Sequence, residues 1–338
     1  MRKPVIGITM GDAAGIGPEI ILKCLSQKEI YGKSKPVVLG DAKVMEEIIR
    51  ICEVSGIKIN RIKNLSAAFF EHGVIDVLDY DNIDMSRLKY GTVDAMCGAA
   101  AVKYTIEAGK LALSNEIQAM VSAPLNKESM RKAGYQYEGQ TEIIGALTGS
   151  TNYGMFLLLG DLKILLYSTH MSLRNACDAV KEDRVFNNIL LAHEGLKHYK
   201  LDNPVIAVSA INPHAGEGGL FGSEEIDEIL PAILLARSKG INAVGPIPAD
   251  TVFVKALKGE YDLVISMYHD HGNMAMKLLG FGHVVTLLVG VPIIRTSVGH
   301  GTAFDIAGKN RADHKNMKAA IDTAIDLGMK RLRQVVRT

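Results

Sequence analysis

Residues 4–25 have the sequence PVIGITMGDAAGIGPEIILKCL, which has the pattern of a β-strand, a glycine-rich loop and an α-helix in succession. The apolar run at 4–9 predicts a buried strand. Pro18 favours a helix that begins there, because proline lacks the N–H that has no partner in a first helical turn. The next segment repeats the order, with a strand predicted at 36–39 and a helix at 42–52. This alternation predicts an α/β fold with a largely parallel sheet.

The remainder of the chain continues the alternation of short apolar runs and longer helical patterns. The predicted strands are 117–121, 155–159, 163–167, 205–208 and 263–267, and the predicted helices are 93–113, 181–198, 223–239 and 317–336. The strands are continuous runs rich in leucine or β-branched residues, which is typical of strands buried on both faces. The length of 338 residues is enough for about two domains.

Charge and composition argue against several classes of partner. Hydrophobic residues make up 48% of the chain, charged residues 22%, and the formal net charge is +1, so no basic surplus predicts binding to nucleic acid or to a membrane surface. Apolar runs such as 155–160 and 287–291 are far shorter than the ~20 residues that span a bilayer. No signal-peptide core is apparent, and the four cysteines form no CxxC pair. We therefore expect a cytoplasmic protein with free, buried thiols.

The loop GDAAGIGPE at 11–19 follows a strand and opens a helix, a position where backbone amides can hold an anion. One interpretation is a dinucleotide-binding loop, with Asp41 as the acid that contacts a ribose. The glycine spacing is GxxxGxG, however, whereas dinucleotide-binding loops have GxGxxG. The favoured interpretation is a tight turn that places Asp12 and the start of the helix at a cleft.

Three histidines follow three predicted strands: His170 in LLYSTH, His214 in INPHAGEGG and His269 in YHDHG. Parallel α/β sheets bind ligands outside the carboxyl ends of their strands, so the three imidazoles could converge on one divalent cation with positions left open for substrate or water. Each histidine could instead be an ordinary loop residue. Asp270 could orient a ligating ring or supply an oxygen, and the residues alone do not decide between His269 and His271.

A second candidate binding segment, RTSVGHGTAFDIAGK, occupies 295–309 and is dense in glycine and polar residues. Arg295 offers a planar guanidinium for a phosphate or a carboxylate. The sequence HGTA at 300–303 would let the backbone approach a ligand closely. A helix predicted to begin at 303–305 would supply free amides for a pyrophosphate. The alternative is an ordinary structured surface turn.

Eight ordered motifs give the chain a resemblance to a known family over essentially its whole length. They are MGDAAGIGPE at 10–19, SAPLNK at 122–127, GQTE at 139–142, STH at 168–170, INPHAGEGG at 211–219, ADTVF at 249–253, YHDHG at 268–272 and RTSVGHGTAFDIAGK at 295–309. The chain resembles the 4-hydroxythreonine-4-phosphate dehydrogenases, including the branch that acts on 4-phospho-D-threonate or 4-phospho-D-erythronate. Its last motif is also similar to the adenosine-binding loop of isocitrate and isopropylmalate dehydrogenases, which share the fold.

The resemblance implies two α/β/α domains with the active site in the cleft between them, and a homodimer in which both subunits complete each active site. We expect the first domain to span 1–135 with 300–338, and the second to span 136–299. The implied ligands of one divalent metal, which would be Zn, Mg or Co, are His170, His214 and His269. The implied substrate contacts are Gln140, Thr141, Lys277, Thr286 and Arg295. The implied contacts to NAD or NADP are His300, Gly301, Thr302, Ala303, Asp305 and Gly308.

Three positions depart from the vitamin-B6 branch of this family, which usually has His where this chain has Gln140, Asn at Thr286 and Gln at His271. Since the first two positions contact substrate in the family, the substrate stays open. One candidate is 4-phosphohydroxy-L-threonine. The alternatives are 4-phospho-D-threonate and 4-phospho-D-erythronate, which would give dihydroxyacetone phosphate and CO2.

The implied reaction is oxidation of the phosphorylated hydroxy acid followed by loss of CO2 from the resulting β-keto acid. Lys277 and Arg295 are candidates for holding the phosphate and the carboxylate. The candidate catalytic residues are Asp250, Asp270 and Lys277. One alternative function is that of a non-oxidative lyase or phosphotransacylase-like transferase with the same fold. Such an enzyme would not need the loop at 300–309. A second alternative is a non-catalytic module that binds phosphorylated ligands.

Overall fold

Twelve β-strands and twelve α-helices alternate along residues 2–199, 201 and 203–335, the part of the chain that the computed structural model describes. The strands are β1 (Val5–Thr9), β2 (Lys35–Gly40), β3 (Lys58–Ile62), β4 (Val74–Asp79), β5 (Ala119–Ser122), β6 (Gly154–Leu159), β7 (Leu162–Leu166), β8 (Ile206–Ser209), β9 (Ala243–Ile247), β10 (Leu263–Ser266), β11 (Val285–Val289) and β12 (Arg295–Val298). The helices are α1 (Gly17–Leu25), α2 (Lys28–Lys33), α3 (Ala42–Ile51), α4 (Ala95–Leu113), α5 (Lys127–Lys132), α6 (Gln140–Thr148), α7 (Leu173–Asp178), α8 (Glu182–Leu196), α9 (Leu230–Ser238), α10 (Ala249–Leu257), α11 (His269–Gly280) and α12 (Lys315–Val335).

The chain divides into two compact units, of which the first comprises Met1–Thr151 with Val291–Thr338 and the second Asn152–Gly290. The boundaries expected from the sequence lay at 135/136 and 299/300. Residues 136–151 belong instead to the first unit, because α6 packs there against α4. The return to the first unit also comes earlier than expected, since β12 pairs with β5 of that unit.

The first unit contains six parallel strands in the order β3-β4-β2-β1-β5-β12. Helix α4 packs on β1, β2 and β5, and α12 packs on β1, β5 and β12, so the central strands lie between helices. Ile6, Ile8 and Val121 on these strands are fully buried. Burial on both faces explains why the predicted strands were unbroken apolar runs.

The second unit contains the strands β11-β6-β7-β10-β8-β9. The pairs β7–β10, β10–β8 and β8–β9 are parallel, whereas β11–β6 and β6–β7 are antiparallel. One side of this sheet carries α10 and α11, whose Val252, Phe253 and Met276 join a buried cluster with Ile164 and Val264. Helices α8 and α9 pack on each other and α8 on β8, β10 and β11. The predicted α/β class is therefore correct, with an antiparallel hairpin inserted.

All the predicted strands are present, but five further strands were missed: β3, β4, β9, β11 and β12. Strand β3 lies at a sheet edge, where only Ile62 is fully buried, so its sequence KINRI lacks an apolar run. Strand β9 contains Pro246, which an edge position tolerates because no neighbour needs its N–H. Strand β12 has the polar sequence RTSV and is nevertheless buried throughout. Thr296 is satisfied by a hydrogen bond to the carbonyl of Ala320.

The cysteines are free, and most of them are buried. Cys24, Cys52 and Cys97 are free and buried, as predicted, whereas Cys177 is half-buried. Within the described residues, no helix is both long enough and apolar enough to cross a membrane.

Candidate active site

The three strands that precede the candidate metal ligands are direct neighbours. Strand β10 pairs in parallel with β7 on one side and with β8 on the other. His170 follows β7, His269 follows β10 and His214 follows β8. The carboxyl ends of adjacent parallel strands lie at one edge of a sheet, so the three loops begin side by side at the position where α/β sheets bind ligands.

Two of the three imidazoles face each other. The ring centres of His170 and His269 are 6.1 Å apart, which allows one nitrogen of each ring to reach a shared cation at about 2.0–2.1 Å. The Nδ1 atom of His269 lies 2.7 Å from Oδ1 of Asp270. A carboxylate that accepts from Nδ1–H fixes the tautomer and leaves Nε2 as the ligating atom.

The third histidine, His214, has a more exposed environment than His269. The side chain of His214 is 69% exposed, and its Nδ1 lies 3.3 Å from Oε2 of Glu217. Among the described residues, no group of three or more His, Cys, Asp or Glu side chains is arranged so that it could hold a metal ion. One copy of the chain therefore supplies a facing pair of imidazoles and a separate, exposed third one.

His214 begins a left-handed stretch of backbone that the sequence interpretation missed. Residues His214 to Gly218 all have positive φ, with φ 52° at His214, 56° at Ala215 and 46° at Glu217. This conformation costs roughly 1–2 kcal/mol for each residue other than glycine. The glycines at 216 and 218 reduce that cost, and their spacing in HAGEGG was the available signal. Strain of this kind persists only where surrounding contacts hold it.

Glu225 holds the two residues that lead into this stretch. It is 2% exposed, and its Oε1 accepts from the backbone N–H groups of Ile211 and Asn212, both at 2.8 Å. Its Oε2 accepts from the side-chain amide of Asn212 at 2.9 Å. A Cβ on Gly216 would lie 2.9 Å from the same Oε2, so only glycine allows this close approach. Glu225 thus positions the loop that carries His214.

A cavity of about 610 Å³ brings His214 together with Asp250 and His271. Its remaining walls are mostly apolar side chains of α10 and α11. Burial lowers the pKa of His271 from its ordinary value. The other candidate catalytic residues, Asp270 and Lys277, are exposed and do not line this cavity. Of the substrate candidates in the second unit, Thr286 is half-buried on β11.

A second, smaller cavity of about 160 Å³ lies in the first unit and combines predicted substrate and cofactor residues. Gln140, Arg295, His300 and Gly301 line it, together with Lys127. The guanidinium of Arg295 donates from Nε to Ser122 Oγ at 3.1 Å and from an Nη to Gln140 Oε1 at 3.0 Å. Gln140 in turn donates from Nε2 to the carbonyl of Ala123 at 2.9 Å. Thr141, the next residue on α6, is half-buried.

Arg295 is a buried cation with neutral hydrogen-bond partners. It is 5% exposed, and among the described residues no carboxylate forms an ion pair with it. Desolvation lowers the pKa of Arg295 from 12.5 to about 10, and the more distant charge of Glu142 opposes that fall. Removing a cation from water costs several kcal/mol unless an anion compensates it. Arg295 therefore places an uncompensated positive charge at the wall of this cavity, which favours an anionic ligand.

The predicted cofactor segment differs from its expected structure. Residues 304–310 form turns, and no helix begins at 303–305, so that prediction is wrong. Thr302 is buried, whereas His300, Gly301 and Asp305 are exposed. Ala303 has φ 43° and Gly308 has φ 70°, so the segment bends twice through left-handed conformations that a helix would not contain.

The expectation that Asp12 lies at a cleft is also wrong. Its side chain is 0% exposed, its Oδ1 accepts from the backbone N–H of Ala14 at 2.9 Å, and its Oδ2 has no hydrogen-bond partner among the described residues. Desolvation raises the pKa of Asp12 from 3.8 to about 6, against the opposing effects of the Ala14 N–H and the Ser129 hydroxyl, and the charge of Asp94 adds slightly to the rise. A carboxyl group in this position is stable inside the fold mainly when it is protonated.

Two α/β units, histidines at the carboxyl ends of neighbouring strands and a cavity lined by a buried arginine are features typical of α/β enzymes that act on small anionic molecules. Comparison with known proteins gives the family. The model of the family described as "Pyridoxal phosphate biosynthetic protein PdxA" matches residues 32–324. The chain belongs to the PdxA family.

Similar proteins support this assignment over the whole chain. A relative from Oceanobacillus iheyensis named "Putative D-threonate 4-phosphate dehydrogenase" is 46% identical over 327 residues, which cover 96% of this chain and 98% of the relative. The crystal structure of a 4-hydroxythreonine-4-phosphate dehydrogenase from Klebsiella pneumoniae is 40% identical with a TM-score of 0.91 and covers 96% of this chain and 98% of its own. The corresponding enzyme from Burkholderia phymatum is 41% identical with a TM-score of 0.87, at 97% and 99% coverage. The protein is an oxidoreductase of the dehydrogenase type, and the isocitrate dehydrogenase-like fold is confirmed.

Proposed function

We propose that the protein oxidises a small 4-phosphorylated 3-hydroxy acid with NAD or NADP, in a reaction that requires a divalent metal and ends with loss of CO2. The observation that carries the proposal is the buried, unpaired charge of Arg295 at the wall of a small polar cavity. Family membership supports the oxidative chemistry, since the similar proteins are named dehydrogenases.

Arg295 would bind one anionic end of the substrate. The cavity of about 160 Å³ is smaller than the roughly 300–1,000 Å³ of a complete ligand pocket, so it has room for one end of the molecule. Ser122 and Gln140 hold the guanidinium in a fixed orientation and leave part of its donor fork for the ligand. Lys277 and Thr286 remain proposed substrate contacts.

The proposed ligands of a divalent metal are His170, His214 and His269, of which one chain brings the first and third together. Support comes from the 6.1 Å separation of the first and third rings and from Asp270, which leaves Nε2 of His269 available. A bound cation would supply Lewis-acid polarisation of the substrate oxygen. Asp250 or Asp270 would accept the hydroxyl proton as the hydride leaves.

Residues 300–308 would hold the nicotinamide cofactor, which would supply the hydride acceptor for the substrate carbon that bears the hydroxyl. Gly301 fits this role, because a Cβ at that position would meet no atom within 4 Å and the backbone is exposed. Oxidation beside the carboxylate-bearing carbon gives a β-keto acid, which loses CO2 as the new carbonyl takes up the electron pair. Lys277 is the candidate proton donor in that step.

A homodimer would complete the metal site, since one described chain does not gather three ligands. Helices α10 and α11 support this proposal with exposed apolar side chains beside the cavity of His214. Leu278 is 86% exposed, Met274 61% and Leu257 52%. Apolar patches of this kind on a folded domain commonly mark an interface. A second subunit seated there would bury the patch and approach His214.

The dimer proposal is tested with matched leucine variants. Leu278→Asp should yield monomers in analytical ultracentrifugation and lose bound metal and activity together. Leu234→Asp is the control, because Leu234 is 52% exposed on α9 and lies outside the α10–α11 patch. A monomeric Leu278→Asp protein with full metal content and activity would contradict a shared site.

The proposed substrate is 4-phospho-D-threonate, because the relative that is 46% identical carries the D-threonate name. The solved structures at 40–41% identity favour 4-phosphohydroxy-L-threonine as the second candidate. A panel of these two compounds and 4-phospho-D-erythronate, each with NAD+ and NADP+, should show one substrate with a kcat/KM at least about tenfold above the others. Turnover without reduction of either nucleotide would favour a lyase or transferase instead.

A further inference from the structure

The glycine-rich loop at 11–17 has no part in the proposed chemistry, yet it contacts the segment 302–308 directly. The backbone N–H of Ile16 donates to the carbonyl of Thr302 at 3.0 Å. A Cβ on Gly15 would lie 3.0 Å from Cβ of Thr302 and 3.1 Å from its carbonyl oxygen. The two segments therefore touch through backbone, and a side chain at position 15 would press Thr302 away.

A second element, Tyr90 with Gly91, contacts both of these segments. The N–H of Gly91 donates to the carbonyl of Ala14 at 2.8 Å, which ties it to the glycine-rich loop. A Cβ on Gly91 would lie 2.5 Å from the carbonyl oxygen of Phe304, and a Cβ on Gly308 would lie 2.7 Å from the ring of Tyr90. Each end of 302–308 is thus in contact with a residue outside the segment. We call Ala14–Ile16 with Tyr90 and Gly91 the support.

The segment 302–308 needs such a support because it is not a regular element. It contains turns but no helix or strand. Ala303 has φ 43°, a conformation that costs roughly 1 kcal/mol for a residue with a Cβ. Within it, the N–H of Ile306 donates to the carbonyl of Ala303 at 3.1 Å. Its shape is therefore set largely by contacts with the support.

We infer that the support holds residues 302–308 in the conformation that binds the dinucleotide. The glycine-rich loop would then contact these residues and not the cofactor itself. This inference rests on the proposed function, in which 300–308 holds NAD or NADP. Gly15 and Tyr90 are then positioning residues. Their substitution changes dinucleotide affinity through Thr302 and Gly308, while the anion cavity at Arg295 keeps its own contacts.

The test compares Gly15→Ala and Gly15→Val with the control Gly32→Ala. Gly32 lies exposed in α2, and a Cβ there meets nothing within 4 Å, so its substitution adds a methyl group without a clash. Calorimetric titration with NAD+ and NADP+ should show the Kd of the bound nucleotide rising about threefold for Gly15→Ala and more than about tenfold for Gly15→Val. Gly32→Ala should bind as wild type does. The KM for the acid substrate should stay within about twofold.

Tyr90 gives an independent variant in case Gly15→Val does not fold. Tyr90→Ala removes the ring beside Gly308, so it should weaken nucleotide binding and speed amide exchange at 304–308. Tyr90→Phe keeps the ring, and the lost hydroxyl has no hydrogen-bond partner among the described residues, so it should restore the wild-type Kd. Folded Gly15→Ala and Tyr90→Ala proteins that bind nucleotide as wild type does would overturn the inference. A wild-type protein that binds neither nucleotide would overturn the proposed function, and the inference with it.

Discussion

Replacing Asp12 by asparagine should make the protein more stable at neutral pH and leave its stability unchanged in acid. Asp12 is fully buried, and the hydrogen bond to its Oδ1 from the Ala14 N–H does not offset the loss of hydration. Its pKa is raised from 3.8 to about 6, chiefly by desolvation. That difference corresponds to about 3 kcal/mol of preference for the neutral form inside the fold.

The sign follows from proton binding in the two states. Below about pH 4 the carboxyl is protonated in both the folded and the unfolded chain, so it imposes no penalty. Between pH 4 and pH 6 the unfolded chain releases the proton while the folded chain keeps it, so the free energy of unfolding falls as pH rises. Above pH 6 the full penalty of about 3 kcal/mol applies. Asp12→Asn removes this penalty because the amide stays neutral.

The assay is urea unfolding of wild type and Asp12→Asn at pH 4, 5, 6 and 7.5, with stability taken from the midpoint and slope. The difference in free energy of unfolding between the two proteins should grow from near zero at pH 4 to about 2–3 kcal/mol at pH 7.5. Every other carboxylate contributes equally to both proteins and does not affect this difference. Asp161→Asn, on the exposed turn between β6 and β7, is the control and should show a difference independent of pH. An equal effect of Asp12→Asn at every pH would refute the reasoning.

Three further predictions concern the site. Arg295→Met should lower kcat/KM by roughly 100-fold without lowering the melting temperature, because it removes a ligand contact together with the cost of a buried cation; a clear loss of thermal stability would contradict this. Glu225→Ala should destabilise the second unit by about 2–5 kcal/mol in urea unfolding and weaken metal binding, since the loop of His214 loses its acceptors; unchanged stability would contradict the role of Glu225. Asp270→Ala should raise the metal Kd about 10–100-fold in a competition titration while Asp270→Asn, which keeps an acceptor for His269, should change it much less; equal effects would contradict the orienting role.

The sequence predicted the strands that position the site, because the patterns that indicate a buried strand are local in the sequence. Buried parallel strands must be continuous apolar runs, and a polar residue that ends such a run lies at the ligand-binding edge. This placed His170, His214 and His269 after three strands that are neighbours in the sheet. The hairpin of β6 and β7 could have been recognised as antiparallel, since two residues between the strands are too few for a parallel crossover.

What the sequence could not show depends on contacts between distant residues. Glu225 holds Ile211 and Asn212, which lead into the left-handed stretch at 214–218, and its sequence position in a helical pattern gives no sign of this role. The burial of Arg295 follows from the pairing of β12 with β5, and the polar sequence of β12 does not predict a strand. The role of the glycine-rich loop depends on Thr302, which lies nearly 300 residues further along the chain.

The central claim is that a metal-dependent oxidation at the nicotinamide precedes loss of CO2. It is tested most directly by measuring reduced nucleotide and released CO2 in the same reaction with 4-phospho-D-threonate, before and after removal of metal with a chelator. We predict equal amounts of the two products, none of either after metal removal, and recovery of both on addition of Zn2+, Mg2+ or Co2+. Full turnover by the metal-free protein, or CO2 released without reduced nucleotide, would contradict the claim.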